Sequence, residues 1–431
     1  MILRLSSSVP RAMLVVVAFS FALFLSYFSI RSARAVHSSG LQTLDGFEHA
    51  TYLEPGNYLS WYQLGRYWQY NFNDPDAQRS IHAYLSALSL NPRSTKTWLD
   101  LATAYESENN FPAARDAFLH AKRVYPVSAD VSWRYGNFLL RQGELEPAFL
   151  EIRRAVDVDP KRGAEAFSRA LRVEPDVDKI LDRILPPIGD VYVDVIWDQV
   201  AGSRTDIALK VWDRMATIHP SLPLRDAYYL IDDLIKRKQF ADGRRVWDQA
   251  VAYAGLADLQ GPPGSVLWDG GFESGMSGIN FGWLYPENFR AVQIGIDSHE
   301  KHSGNHSLRL TFDGRSNVQF TDICHYVLVQ PSTAYHFSAW VRPRALTTDQ
   351  GIRFQLRPIG AQDSSVVVTA DVHGSEPWTQ VEIPWISGND VHEMQVCLLR
   401  YPSDQEGHRI QGTVWIDDVA LVPVSTERAK P

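Results

Sequence analysis

The feature that most constrains the fold is the spacing of three prolines, Pro92, Pro126 and Pro160, which lie 34 residues apart. Each proline ends a block with a similar pattern of large and small residues. A fixed period of this length is typical of stacked helical hairpins. The period therefore predicts an α-helical array rather than the core of an enzyme.

The middle block carries the pattern most completely. Its first helix is predicted by apolar positions at i, i+3, i+4 and i+7, and its second by a shorter apolar series: Trp98, Leu101, Ala102 and Tyr105, then Ala114, Phe118 and Ala121. This order resembles the tetratricopeptide repeat. The blocks on either side match less closely, and in the third the tryptophan, Trp133, is one place late.

The resemblance implies that the concave face of residues 51–160 binds a peptide or a protein partner. A rigid spacer that holds the C-terminal part away from the membrane is the alternative. After Pro160 the pattern degrades. We expect residues 161–258 to form atypical repeats or a bundle that caps the stack.

An uncharged stretch at residues 12–30 predicts a transmembrane helix, because nineteen residues at about 1.5 Å each span the hydrocarbon core. Basic residues flank both ends, so the positive-inside rule is close to a tie. The order of basic and then apolar residues favours a cytoplasmic N-terminus. We expect a single-pass protein of the bacterial inner membrane, with most of the chain in the periplasm. Cleavage after Ala35, at the end of an A-x-A pattern, would instead release a soluble periplasmic protein.

Composition narrows the functional classes. At 431 residues the chain is long enough for two or three domains. A net charge of −8 argues against a nucleic-acid partner. The sequence has no phosphate loop, dinucleotide fingerprint or C-x-x-C motif, and no catalytic residue is predicted.

The periodicity changes from helical to two after the linker at residues 259–265. Alternating segments predict a β-sandwich: residues 307–312, 335–341, 351–356, 381–383, 394–398 and 413–416. Several landmarks resemble carbohydrate-binding modules of the galactose-binding-like jelly-roll type. They are the opening at 269–273 with Trp283, the segments 302–309, 335–342 and 378–379, and the close at 414–419.

The resemblance implies a structural calcium ion between Glu273 and Asp417, and a glycan ligand. Calcium takes several oxygen ligands, which backbone carbonyls could complete. Asp417 and Asp418 are adjacent on a predicted strand, so we expect them to face opposite sides. A surface carboxylate pair without metal is the alternative.

Sugars stack their apolar faces on aromatic rings. The best candidates in or near predicted loops are Trp283, Tyr285, Trp385 and Tyr401. Core or rim packing is an equally good interpretation of each. Trp340 and Trp415 lie within predicted strands and are expected in the core.

The two cysteines, Cys324 and Cys397, both lie in the β region. An oxidising compartment allows a disulfide between them. Two buried free thiols are the preferred interpretation, since the strand order cannot be derived from the sequence.

The predicted segments are: residues 1–11, cytoplasmic; 12–30, membrane anchor; 31–50, linker; 51–160, repeats; 161–258, capping helices; 259–265, linker; 266–424, β-sandwich; 425–431, tail. Together they favour a non-catalytic anchored scaffold that docks a protein and binds glycan in surface polysaccharide assembly or export. The alternatives are a scaffold for protein interactions only and, in third place, a glycan-active enzyme.

Overall fold

A computed structural model describes residues 8–71, 74–218, 221–259, 261–274, 281–285, 292–359 and 366–424. The chain divides into two compact units, residues 1–186 and residues 187–431. The first unit contains helices only. The second combines helices with two β-sheets.

The first unit begins with helix α1 (Ser8–Gly40) and the short helix α2 (Leu44–Leu53). The part Arg11–Gly40 is long and apolar enough to cross a membrane, with a mean hydropathy of 2.3 in its most apolar window. The helix therefore continues about ten residues beyond the predicted apolar segment 12–30. The next helix, α2, begins after Thr43, whose side chain accepts a hydrogen bond from the backbone N–H of Gly46.

Three helical hairpins follow and form the predicted array: α3 (Tyr58–Tyr70) with α4 (Ala77–Leu90), α5 (Thr95–Ser107) with α6 (Phe111–Val124), and α7 (Ala129–Arg141) with α8 (Leu145–Val158). Five of the six helices start at a residue whose side chain accepts a backbone N–H of the first turn, which satisfies a donor left free there: Asn57, Asp76, Ser94, Asn110 and Ser128. The prediction of a tetratricopeptide-like array is confirmed.

Small residues allow the two helices of a hairpin to approach closely. A Cβ atom on Gly65 would lie 2.6 Å from the ring of Tyr84, and one on Gly136 would lie 2.8 Å from Ile152. Phe118 is 1% exposed and is stacked with Tyr135 of the next hairpin. The large residues thus fill the grooves between hairpins, as the sequence predicts.

The first unit ends with the short helices α9 (Gly163–Ala170) and α10 (Val177–Ile184). The second unit opens with four helices: α11 (Gly189–Ala201), α12 (Thr205–Thr217), α13 (Tyr228–Lys236) and α14 (Phe240–Tyr253). The ring of Trp247 on α14 lies 5.4 Å from that of Trp268 and 5.1 Å from that of Phe281. Aromatic contacts therefore join α14 to the start of the β region.

The β region is a sandwich of two antiparallel sheets, as predicted. Its strands are β1 (Trp283–Leu284), β2 (Val292–Asp297), β3 (Ser307–Asp313), β4 (Phe320–Leu328), β5 (Ala334–Arg344), β6 (Arg353–Pro358), β7 (Val367–Val368), β8 (Thr379–Ile386), β9 (Glu393–Arg400) and β10 (Gln411–Pro423). One sheet has the order β1-β4-β9-β6-β7 and the other β2-β3-β10-β5-β8. Alternate residues of both sheets fill the core between them.

A disulfide joins the neighbouring strands β4 and β9. Cys324 and Cys397 are direct cross-strand partners, and their Cα atoms are 4.0 Å apart. The structure thus contains the bridge rather than two free thiols. The strand order, which the sequence does not give, is what brings the two residues together.

Candidate binding sites

The first helices of the hairpins, α3, α5 and α7, lie side by side and share a polar face, named here the inner face. Asp100 of α5 is its centre. The carboxylate of Asp100 accepts a hydrogen bond from the hydroxyl of Tyr62 at 2.8 Å and forms an ion pair with Arg134 at 3.0 Å. Arg134 also donates to the hydroxyl of Thr103 at 2.8 Å.

This network fixes the geometry of the inner face. Asp100 is only 5% exposed, so its charge needs the guanidinium beside it. Burial, and then the hydrogen bond to Asp100, raises the pKa of Tyr62. The phenol therefore stays a neutral donor, and one carboxylate connects three successive hairpins.

The second candidate surface is the outward side of the sheet β1-β4-β9-β6-β7, named here the polar sheet face. Arg353, Gln355 and Arg357 alternate on β6 with the buried Phe354 and Leu356. Arg357 donates to the side-chain amide of Gln395 on β9. Amides and guanidinium groups on neighbouring strands are the kind of polar groups that orient a bound sugar. The alternation on β6 is the sequence signal that could have revealed them.

Tyr401 lies just beyond β9 and is 38% exposed. The guanidinium of Arg353 lies 5.1 Å from the centre of its ring. Such a contact holds one face of the ring in place. Of the four aromatic residues predicted as sugar platforms, this ring is the most exposed to solvent.

The other three predicted platforms lie elsewhere. Trp283 and Trp385 are each 3% exposed and belong to the core of the sandwich. Trp283 donates its indole N–H to the carbonyl of Asp269, and Trp385 lies against Tyr335. Tyr285 is half-buried against the same core. Core packing, the alternative interpretation, applies to both tryptophans.

The expectation that Trp340 and Trp415 lie in the core is confirmed only for the burial of Trp415, which is 7% exposed. Both project from the outer side of the sheet β2-β3-β10-β5-β8, because the core row there is formed by Val341 and Ile416. The ring of Trp340 is covered by the imidazole of His302, with centroids 3.9 Å apart. Trp415 donates its indole N–H to Asp297 at 2.9 Å. Strand position alone does not reveal which of the two faces is buried.

The predicted calcium ligands converge on one loop, residues 302–306. Asp417 accepts the backbone N–H groups of His302 at 2.8 Å and Ser303 at 3.1 Å. Glu273 accepts the backbone N–H groups of Asn305 at 2.5 Å and His306 at 3.2 Å. Burial raises the pKa of Asp417 to about 6. Burial also acts to raise the pKa of Glu273. The hydrogen bonds that it accepts from the backbone N–H groups of Asn305 and His306 nevertheless hold that pKa below its usual value.

The expectation that Asp417 and Asp418 face opposite sides is wrong. The register of β10 shifts between Asp417 and Ala420, and Asp418 adopts a positive φ of 47°. This bulge breaks the alternation of the strand. As a result, Asp418 also contacts the loop, through the imidazole of His302 at 2.6 Å and the hydroxyl of Ser303 at 2.7 Å.

Gly271 lies beside both Glu273 and Asp417. A Cβ atom placed on Gly271 would lie 3.6 Å from Cγ of Glu273 and 3.7 Å from Oδ1 of Asp417. Carboxylate oxygens are the ligands that calcium takes, but both of these carboxylates already accept backbone N–H groups of the loop 302–306. The described residues contain no group of three or more His, Cys, Asp or Glu side chains that could hold a metal ion. A calcium ion here would need backbone carbonyls or water as further ligands.

Comparison with known proteins gives similarities to each part of the chain. No family model matches. An alignment 145 residues long, which covers 29% of the chain, shows 28% identity to the general transcriptional corepressor ssn6 of Schizosaccharomyces pombe and covers 13% of that protein. Among solved structures, a Family 16 Carbohydrate Binding Module-2 matches 36% of the chain and 99% of its own length, with 17% identity and a TM-score of 0.27. YrrB, described as a TPR protein with an unusual peptide-binding site, matches 50% of the chain and 97% of its own length, with 14% identity and a TM-score of 0.26.

The described parts of the chain thus combine two classes of fold. One is a tetratricopeptide-like array of helical hairpins. The other is a β-sandwich like that of carbohydrate-binding modules.

Proposed function

We propose that this chain is a non-catalytic, membrane-anchored scaffold. Its helical array docks a protein partner, its β-sandwich binds glycan, and it works in the assembly or export of a bacterial surface polysaccharide. The observation that carries the glycan part is the polar sheet face, where the guanidinium of Arg353 lies 5.1 Å from the centre of the exposed ring of Tyr401, and Gln355 and Arg357 follow Arg353 at alternate positions of β6. An aromatic ring with polar groups around it suits a sugar.

Tyr401→Ala in the full-length protein tests the glycan part. We expect at least about a tenfold loss of affinity for glycans that bind on an array, because a sugar would lose both the stacking surface and the adjacent positioned guanidinium. Tyr229→Ala is the matched control, since Tyr229 on α13 is also exposed, at 48%. Absence of any glycan binding by the wild-type protein would refute this part.

An interaction-only scaffold is the second candidate function. It is favoured by the burial of Trp283 and Trp385 and by the covered ring of Trp340, since these large rings are not available to a ligand. Under this alternative the sandwich is a structural cap. Unchanged glycan binding by Tyr401→Ala would leave the sheet face without a role in sugar recognition.

The inner face of the array supports docking of a protein partner. A photo-crosslinking amino acid in place of Tyr70, which is 55% exposed on α3, should trap a partner in cells. The same group in place of Leu85 on α4, which is 45% exposed, is the control. Cross-links from the second position alone would contradict docking at the inner face.

The apolar helix α1 supports anchoring. We propose that it is retained as a membrane anchor with the rest of the chain in the periplasm. A topology reporter fused after β10 tests the orientation. Activity of a reporter that works only in the cytoplasm would refute the placement of the sandwich outside the cell.

We also propose a structural calcium ion held by Glu273 and Asp417. The ion would neutralise both carboxylates and fasten the loop 302–306 to β10. Calcium should then raise the melting temperature of the protein, and Asp417→Asn should remove this effect. Asp418→Asn is the control, because Asp418 contacts the same loop, through the side chains of His302 and Ser303, but is not one of the two proposed ligands. A melting temperature that does not respond to calcium would contradict the proposal.

A further inference from the structure

A groove of about 760 Å³ lies where the end of α1 meets the first hairpin. One wall is formed by residues 35–40 of α1, and the other by α3 together with Lys96 of α5. Its size lies within the range of about 300–1,000 Å³ that is usual for ligand sites. The groove is therefore large enough for a specific ligand, and the anchor helix is part of its construction.

Two cations, Arg66 and Lys96, line this groove. Neither forms an ion pair with a carboxylate in the part of the chain that the structure describes. The guanidinium of Arg66 lies 5.5 Å from the ring centre of Tyr70, and Nζ of Lys96 lies 5.4 Å from that of Tyr62. The ring faces stabilise both charges but accept no conventional hydrogen bonds, so the N–H donors stay available to an anion.

The acidic residues near these cations are already engaged. Asp100 is held by Tyr62 and by Arg134. Glu54, which also lines the groove, accepts a hydrogen bond from the amide of Asn57 at 3.0 Å. Hydrogen bonds from Ser32 and Asn57 lower the pKa of Glu54. Arg66 and Lys96 are exposed to solvent and therefore offer positive charge to an anionic ligand in the groove.

The rest of the lining favours a peptide. Val36, Phe47 and Leu59 supply apolar surface within the same groove. A ligand that satisfies both the cations and this surface carries acidic and apolar groups along one chain. An acidic, extended protein segment has this chemistry, whereas a neutral sugar lacks the charge.

We propose that this groove binds an acidic, partly apolar segment of a partner protein, with its carboxylates on Arg66 and Lys96 and with α1 as one wall. The inference rests on the proposed docking function and identifies where on the array the partner is held. It also makes residues 35–40 a part of the binding site rather than a linker.

The test uses the full-length protein in detergent and a short fluorescent peptide of alternating glutamate and leucine. Its counterpart, with glutamine in place of glutamate, is the ligand control. We expect Arg66→Gln and Lys96→Gln each to weaken binding of the acidic peptide at least about tenfold, because each removes a charged donor. Arg93→Gln, in the turn between α4 and α5 and outside the groove, should bind like the wild type.

A second variant tests the wall. Val36→Trp fills the groove from the α1 side, and Val36 is exposed, so the helical array should stay folded by circular dichroism. We expect it to abolish peptide binding. The proposal is overturned if this variant or the Arg66→Gln/Lys96→Gln double variant binds the peptide normally. It is also overturned if anionic lipid vesicles or acidic oligosaccharides displace the peptide more strongly than unlabelled peptide does. Cross-links from position 70 without peptide binding would overturn the groove proposal and leave partner docking intact.

Discussion

Removal of the disulfide between Cys324 and Cys397 should destabilise the second unit strongly. The bridge closes a loop with a sequence separation of 73 residues. The chain-entropy relation for a loop of this length gives about 4 kcal/mol at 25 °C, as an upper value. Engineered bridges often deliver less than this relation gives, so we expect a loss of about 2–4 kcal/mol in the free energy of unfolding. For a unit of this size that corresponds to a fall of about 10 °C in melting temperature.

The assay is differential scanning calorimetry of the wild type and of the Cys324→Ala/Cys397→Ala variant. Alanine is chosen because the two sulfurs lie in residues that are 8% and 2% exposed, where a serine hydroxyl would need a partner. Fully reduced wild-type protein should melt close to the variant. The transition of residues 1–186 is an internal control, because that unit contains no cysteine.

Two results would refute this reasoning. Unfolded, unreduced protein that reacts with a thiol reagent at both cysteines would show that the bridge is absent. A variant that melts at the wild-type temperature would show that the bridge does not restrict the unfolded chain.

Two further predictions concern the core of the array and the pH dependence of the sandwich. Phe118→Ala should lower the free energy of unfolding of the array by about 3–5 kcal/mol, because Phe118 is 1% exposed. Leu119→Ala, at a position that is 37% exposed, should change it by less than about 1 kcal/mol. Equal melting temperatures of the two variants would contradict the packing described. The indole N–H of Trp415, with backbone N–H groups and Arg309, lowers the pKa of Asp297 to about 2. Between about pH 4 and pH 2 the unfolded chain therefore binds more protons than the folded chain, so the free energy of unfolding decreases as the pH is lowered through that window. Asp297→Asn should flatten this fall in an acid-unfolding curve, and an unchanged slope would argue against the role assigned to Asp297.

The helical array could be predicted from the sequence because its constraints are local. Pro92, Pro126 and Pro160 set the period, and the apolar positions between them give each helix its buried face. Gly65 and Gly136 mark where helices touch. The inner face is different, because the contact between Tyr62 and Asp100 joins residues 38 positions apart and depends on how hairpins stack.

The sandwich could be predicted as a class but not in its details. Alternation identified six of its strands, whereas β4 was missed because apolar residues lie on both of its faces, as Ile323 and Cys324 illustrate. Which side of a strand is buried depends on the opposite sheet. The positions of Trp283, Trp340 and Trp385 were therefore not predictable from their neighbours in the sequence. The bulge at Asp418 likewise depends on the loop that it contacts.

The end of α1 bears on the two interpretations of the N-terminal segment. Ala35 is 2% exposed in the folded protein and lies within a continuous helix, so cleavage after it would remove a residue that the fold buries. Arg31 donates to the carbonyl of Leu53, and Ser39 donates to Gln63, so this part of α1 is fastened to α2 and α3. We therefore expect mass spectrometry of protein purified from membranes to find residues 1–35 still attached. Ala35→Leu, which removes the small residue that a signal peptidase prefers, should change the mass only by that of the substitution itself and should leave the membrane fraction unchanged. A mature N-terminus at Val36 would contradict the retained anchor and would remove Ala35, one of the residues that line the groove.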